Sequence, residues 1–390
     1  MTIKYQIAFV GNKHLFESNI LDSVHAHLNE LGVEKDYLVI IDENNFATEY
    51  KRNAPIFCLY FGDATGSFRN LDLLDQLLAD ASLILPVVDD IKRFIPSTPA
   101  QLHKINGYEL SSALGVEPLV SLILEGLGLL RISRRLFISY KRDESSTVAI
   151  QLYEGLEKNG FDVFIDTHSV RPTEPFQDEL WHRLADTDIV VLLNTPGFLS
   201  SNWTREELAK ANAMQIGVLQ LLWPTHKMEV TAAISIPFEL QPTDFGNDLY
   251  SDSKSYLTDH AIKRIVEQTE YLRARSLAAR QDNLITEFMK AAKKVGKTAD
   301  LHPQKYIQTK KKNGDDVIII PTVGVPQAFN YNKSDEIVET FKMAKKPSVS
   351  LLYDHINIRD NWLKHLDWLD KHLPVQAIKI INAEAWLQNI

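Results

Sequence analysis

The sequence predicts an α/β protein in three lobes. A central, doubly wound parallel sheet is preceded by an α/β lobe and followed by a long helix with a small α/β lobe. Three observations carry this expectation. Compact apolar runs of strand length alternate with segments whose apolar residues recur at helical spacing. At 390 residues the chain has room for two or three domains, each with its own core. A helical stripe of unusual length separates the last such pattern from the rest.

In the first lobe, residues 1–130, Tyr5–Val10, Tyr37–Ile41, Ile56–Phe61 and Ser82–Val88 are the apolar runs. Ile20–Leu31 puts Ile20, Leu21, Val24, Leu28 and Leu31 on one stripe that Gly32 ends, and Leu71–Leu78 forms a shorter helix. The middle lobe, residues 134–225, repeats the pattern. Leu136–Tyr140, Phe161–Ile165, Ile189–Leu193 and Gly217–Leu222 are four strands. Val148–Leu156, Phe176–Leu184 and Trp203–Met214 are the helices between them. After Pro224 the pattern loosens into loop to about Lys254.

The last lobe, residues 255–390, opens with one helix over Thr258–Val295. Its stripe is Ile262, Ile265, Val266, Leu272, Leu284, Ile285, Phe288 and Met289, and Gly296 stops it. Asn313-Gly314 between Lys305–Lys311 and Asp316–Ile320 predicts a hairpin. Ser348–Tyr353, Asp360–His372 and Ala377–Ile381 make a final β-α-β unit. An internal echo, ADASLILPVV from Ala79 against ADTDIVVLL from Ala185, is what any helix leading into a buried strand produces, with duplication the rarer cause.

Composition excludes several function classes. With 45% hydrophobic residues, 16 Gly and 16 Pro, the chain is neither disordered nor of low complexity. Its net charge is −9, and residues 1–130 hold nine Lys/Arg against 17 Asp/Glu. Without a basic stripe, direct nucleic-acid binding is not expected. The lone Cys58 excludes a disulfide framework and a cysteine zinc site, and fits a reducing compartment. MTIKYQIAFV lacks the layout of a signal peptide. Pro118–Leu130, the most apolar stretch, is interrupted by Glu125 and is too short to span a bilayer. A cytoplasmic protein without membrane contact is the expectation.

The sharpest motif is Phe137-Ile138-Ser139-Tyr140-Lys141-Arg142-Asp143, which ends a strand and opens a loop. Polar residues at the carboxyl end of a parallel strand are where open α/β sheets bind ligands. Asp166, the loop leading to Phe176, and Leu199-Ser200-Ser201-Asn202-Trp203-Thr204-Arg205-Glu206-Glu207-Leu208 follow in order. Over about Arg134–Trp223, this ordered set resembles the TIR (Toll/interleukin receptor) domains, and is most similar to prokaryotic TIR proteins that cleave NAD+ in anti-phage defence. The resemblance implies a basic pair at Lys141 and Arg142, an Asp at the end of the second strand (Asp166), and an aromatic near the substrate (Phe176). It also implies a catalytic glutamate, Glu207, four residues after Trp203. Ser139 and Trp203 join the substrate-binding set. Many such loops carry a glycine before the aromatic. Here Arg171-Pro172-Thr173-Glu174-Pro175 has two prolines and no glycine, so a stiffer loop is expected.

The chemistry can be argued without the family. Nicotinamide leaves the ribose of NAD+ as a neutral molecule, so no general acid is required, and one carboxylate can stabilise the oxocarbenium-like charge. A flat aromatic can orient the pyridine ring, and cations can hold the pyrophosphate. By residue chemistry alone, each position also has a plainer role. Glu207 fits a solvated helix face, with Glu206 as a competing carboxylate. Trp203 and Phe176 fit core packing, Ser139 fits a turn, and Lys141-Arg142 fits a charged surface.

Other candidates carry less chemistry. Gly11-Asn12 lacks the spacing of a dinucleotide fingerprint. His355, His365 and His372 lack metal-ligand spacing, so no metal and no bound cofactor is expected, NAD+ being the substrate. Lys310-Lys311-Lys312 suits a protected sheet edge. Three functions follow: an NAD+ glycohydrolase, a TIR cyclase producing a cyclic ADP-ribose-type messenger, or a non-enzymatic TIR interaction module. In the enzyme readings, homo-oligomer formation through TIR-TIR contacts and an unidentified activating partner govern activity.

Overall fold

The computed structural model describes residues 5–52, 54–80, 82–110, 115–165, 176–198, 211, 214–224, 226, 235–246, 250, 253–302, 305–339 and 346–390, without the side chains of 176–178 and 337–339. The chain divides into two compact units, residues 1–132 and 133–390. Among the described residues, no helix is long and apolar enough to cross a membrane.

In the first unit, strands β1 (Tyr5–Gly11), β2 (Leu38–Ile41), β3 (Ile56–Phe61), β4 (Leu83–Val88) and β5 (Tyr108–Glu109) form a parallel sheet in the order β2-β1-β3-β4-β5. Continuous apolar runs suit strands covered on both faces, and β1 and β3 are buried almost end to end. Helix α1 (Glu17–Glu30) buries Ile20, Val24, His27 and Leu28. It is tied to α3 (Glu117–Gly126) by His27 Nε2 and Ser23 Oγ, which meet Glu117 at 2.7 and 2.5 Å. Helix α2 (Leu71–Ala79) buries Leu74 and Leu77.

The second unit holds two sheets. Its first contains β6 (Arg135–Ser139), β7 (Asp162–Ile165), β8 (Ile189–Asn194), β9 (Gly217–Leu222) and β10 (Ser235–Glu239), all parallel, in the order β10-β9-β8-β6-β7. Four of these strands match the expected runs. The fifth, β10, lies in the stretch expected to be loop, so that expectation is corrected. β10 pairs residue for residue with β9, from Ser235 beside Val218 to Glu239 beside Leu222. It escapes a periodicity reading because it is a short, half-exposed edge strand with Pro237 inside, and an edge tolerates the missing N–H. The echo between Ala79 and Ala185 aligns β4, the fourth strand of its sheet, with β8, the third of its own. It therefore does not equate matching strands.

Helices α4 (Arg142–Lys158) and α5 (Phe176–Ala185) follow β6 and β7. Helix α6 (Asp259–Lys294) has 36 residues, about 54 Å at the usual rise. Thr258 caps its start by accepting the Ala261 N–H. Gly296, at φ +71°, provides the left-handed turn that stops it. Its first half covers the β6–β10 sheet: Ala261, Ile265, Val266 and Leu272 share a core with Leu136, Ile189, Leu219 and Leu221. Its second half turns to another core, where Leu284, Ile285 and Phe288 meet Ile307, Val317 and Ile319.

That second core belongs to a mixed sheet, β11 (Ala299–Leu301), β12 (Ile307–Lys310), β13 (Asp316–Pro321), β14 (Ser348–Tyr353) and β15 (Gln376–Lys379), in that spatial order. The expected Asn313-Gly314 hairpin joins antiparallel β12 and β13, with Lys310 opposite Asp316. The remaining pairs from β13 to β15 are parallel. Helices α7 (Ala328–Glu339), α8 (Asp360–His372) and α9 (Ala383–Asn389) complete the lobe. The chain is thus α/β, with a central doubly wound parallel sheet.

Candidate active site

At the carboxyl edge of the β6–β10 sheet, β6 ends in buried Ser139 and the chain runs through Tyr140 and Lys141 into the first turn of α4 at Arg142. Lys141 stands in extended conformation just before the helix, and its carbonyl accepts the amides of Glu144 and Ser145. Ser145, at φ −147° and ψ 23°, interrupts the helix and sets the first turn off from the rest. Sequence reasoning named Ser139, Lys141 and Arg142, and the fold brings all three to this edge.

Glu144 is the organising side chain here, and sequence reasoning missed it. Its carboxylate meets Lys141 Nζ at 2.5 Å and accepts the Gly197 N–H at 3.0 Å. The loop after β6 is thereby joined to the loop after β8. Burial opposes ionisation of Glu144, but Lys141 and the Gly197 amide outweigh it and hold the carboxyl below its usual range. A Cβ at residue 197 would stand 2.0 Å from Glu144 Oε1 and 2.4 Å from Lys141 Nζ. A larger residue at 197 would push both side-chain ends aside and disturb the link between the loops.

A second polar group lies deeper at the same edge. Asn194 ends β8 and donates through Nδ2 to Gln220 Oε1 of β9 at 3.1 Å, both residues being fully buried. His226 Nε2 lies 3.2 Å from Asn194 Oδ1. These residues were missed as well. Their signal was available: Asn and Gln stand inside the apolar runs IVVLLN and GVLQLL, where an amide must find a partner.

Asp166, Trp203 and Glu207, with the competing Glu206, lie outside the described residues, as does the side chain of Phe176. Phe176 opens α5. Among the described residues, no group of three or more His, Cys, Asp or Glu is arranged to hold a metal ion. The described edge offers one ammonium held by a carboxylate, an exposed guanidinium at a helix start, and a buried amide pair that a half-buried imidazole joins. Such an edge can bind and orient a polar, anionic ligand.

A parallel sheet in this order, with its polar loops at the carboxyl edge, is the framework of a TIR domain. A TIR domain family model matches residues 136–254, so this stretch of the chain is a TIR domain. The match runs past Trp223 and takes in β10. Over 93 residues the chain is 25% identical to the 2′ cyclic ADP-D-ribose synthase BtTIR of Bacteroides thetaiotaomicron. That stretch covers 24% of this chain and 32% of the relative, so the chain spans about a third of the protein it matches. Among solved structures, a protein assigned as a phosphosugar isomerase from Silicibacter pomeroyi aligns at 10% identity, covering 72% of this chain and 87% of its own, with a TM-score of 0.20. The tagatose-6-phosphate ketose/aldose isomerase of Escherichia coli aligns at 13% identity over 73% and 82%, with a TM-score of 0.19. Overlaps this low define no shared fold.

Proposed function

We propose that the TIR domain cleaves the nicotinamide–ribose bond of NAD+, with Glu207 as its catalytic carboxylate. The observation that carries this reading is the similarity to a relative named as a 2′ cyclic ADP-D-ribose synthase. The ordered motifs around Ser139, Asp166, Trp203 and Glu207 support it. Breaking the bond leaves its electron pair on neutral nicotinamide and an oxocarbenium-like cation on the ribose. Glu207 stabilises that cation, Phe176 orients the pyridine ring, and Arg142 holds the pyrophosphate. Lys141, already engaged by Glu144, acts by fixing the loop after β6. Water then adds to the cation and loses a proton, giving ADP-ribose. A second reading is favoured by the name of the relative: a hydroxyl of the same molecule captures the cation, giving a cyclic ADP-ribose product. In both, assembly through TIR-TIR contacts in the cytoplasm switches the enzyme on, and NAD+ loss or a messenger serves defence against phage.

Incubating the full chain with NAD+ and separating nicotinamide, ADP-ribose and cyclic products tests the reading. Nicotinamide release should rise more steeply than protein concentration where the chain assembles. On the helix that the sequence pattern predicts over Trp203–Met214, Glu206 and Glu207 would differ by about 100° in direction and could not serve the same ribose equally. Glu207→Gln keeps the shape and removes the charge, and should lower the rate about 10²–10³-fold, while Glu206→Gln keeps most of it. Full activity in both variants would refute the assignment.

A further inference from the structure

The two amides buried at the candidate active site hold an imidazole in one orientation, on the face of the sheet where the site residues gather. Ser139 pairs with Leu192, and Leu192 with Gln220. Asn194 is two residues further along β8, at the height where the chain leaves β6 for Lys141 and Arg142. Side chains alternate along a strand, so Ser139, Asn194 and Gln220 share the sheet face of Phe137, Leu192 and Val218. Leu180 and Leu184 of α5, the helix that opens with Phe176, cover that face together with Ala211. On the helix that the sequence pattern predicts over Trp203–Met214, Glu207 would lie one turn before Ala211.

The direction of each hydrogen bond in this group is fixed. Asn194 Nδ2 donates to Gln220 Oε1 at 3.1 Å, and the amide oxygen of Asn194 can only accept. His226 Nε2, 3.2 Å from that oxygen, therefore carries the ring proton and donates it. In the neutral ring the lone pair is then on Nδ1. Among the described residues Nδ1 has no hydrogen-bond partner, and the ring is only half buried. The amides, by contrast, are fully buried in apolar strands, where a pair of leucines would pack at no loss. What the amide pair adds over leucines is the grip on the imidazole.

We propose that His226 is the base for the second half of the reaction, taking on Nδ1 the proton of the oxygen that captures the ribosyl cation. The inference rests on the reading that this domain cleaves NAD+. A lone pair of the incoming oxygen forms the bond to the anomeric carbon. The O–H bond breaks with its electron pair left on that oxygen, and the proton passes to Nδ1. The imidazolium then returns the proton to solvent. The oxygen belongs to water in a hydrolase and to a hydroxyl of the same molecule in a cyclase, and one base serves both. Asn194 is a positioning residue: it holds the ring in the tautomer this step needs, the part an orienting carboxylate or amide plays behind a histidine base.

The test gives the full chain NAD+ together with labelled nicotinamide and follows two quantities. Label entering NAD+ reports cleavage followed by recapture of the cation by nicotinamide. Net loss of NAD+ reports capture by oxygen, the step assigned to His226. His226→Gln keeps an N–H donor for Asn194 and removes the base. Its net loss should fall about 10²-fold, while label exchange continues at the parental rate and the circular dichroism spectrum stays unchanged. His226→Ala should show the same split, and added imidazoles should restore net loss in the order of their basicity, an order that refilling a hole does not produce. Undiminished net loss in His226→Gln, or exchange that falls as far as net loss does, would overturn the proposal and leave the cleavage reading standing. A parent chain that neither releases nicotinamide nor exchanges label would overturn both.

Discussion

At His182 a single proton records its whole surroundings. An unfolded chain protonates such a ring near pH 6.5, whereas in the fold burial and the Arg359 charge delay protonation to about pH 4. Between those values the unfolded state holds the extra proton, so stability falls as the pH drops from 6.5 to 4 and levels off below. The full difference is about 3 kcal/mol. His182→Gln should flatten that limb of the Tm–pH profile, and a variant with the parent slope would refute the account. Residue by residue, the candidate site was only partly legible. Ser139, Lys141 and Arg142 follow an apolar strand and show themselves. Glu144 and Gly197 do not, because their importance is an approach between loops some fifty residues apart in sequence. Asn194 and Gln220 were visible as amides in apolar runs, yet their pairing depends on which strands are neighbours.

Helix α6 carries charge where its pattern suggests solvent. Arg273 Nε meets Asp188 Oδ2 at 2.8 Å with neither side chain exposed at all, and Arg134 pairs with fully buried Glu270 a turn away. Ser276 Oγ takes the Gly217 N–H at 2.9 Å and donates to the Asp188 carbonyl at 3.0 Å. Arg280 then donates to the Thr187 and Ala185 carbonyls at the end of α5. Breaking one partner of a buried pair strands the other, at about 3–5 kcal/mol. Arg273→Met should lower the unfolding free energy from urea titration by that amount, and adding Asp188→Leu should recover much of it. A loss under about 1 kcal/mol for the single variant would show that the pair is dispensable. The apolar residues Ile265, Val266, Leu272, Leu284 and Phe288 were legible because their spacing is helical. Glu270 and Arg273 were not, since a charged residue in such a stripe ordinarily marks the wet face. Short edge elements escaped for a related reason: β10 and the three residues of β11 bury too little to impose a period.

On the scale of the molecule, the TIR family match ends at residue 254, but the core of that domain does not. Ala261, Ile265, Val266 and Leu272, all beyond the match, are buried against its strands. Fully burying a Val, Leu or Ile side chain is worth about 1.5–3 kcal/mol, so the three larger ones contribute roughly 5–9 kcal/mol. That rivals the whole stability of an ordinary domain, about 5–15 kcal/mol. The buried partners of Asp188 and Arg134 are on the same helix. A fragment of residues 134–254 should therefore be loosely packed, bind a hydrophobic dye and melt without a sharp transition. Residues 133–390 should unfold in one cooperative step, because α6 is a continuous rod with one half in each core. Residues 1–132, with their own sheet and core, should fold alone. Calorimetry and two-dimensional NMR of the three fragments decide the matter. A dispersed spectrum and a sharp transition for 134–254 would mean that α6 merely covers a domain already complete without it.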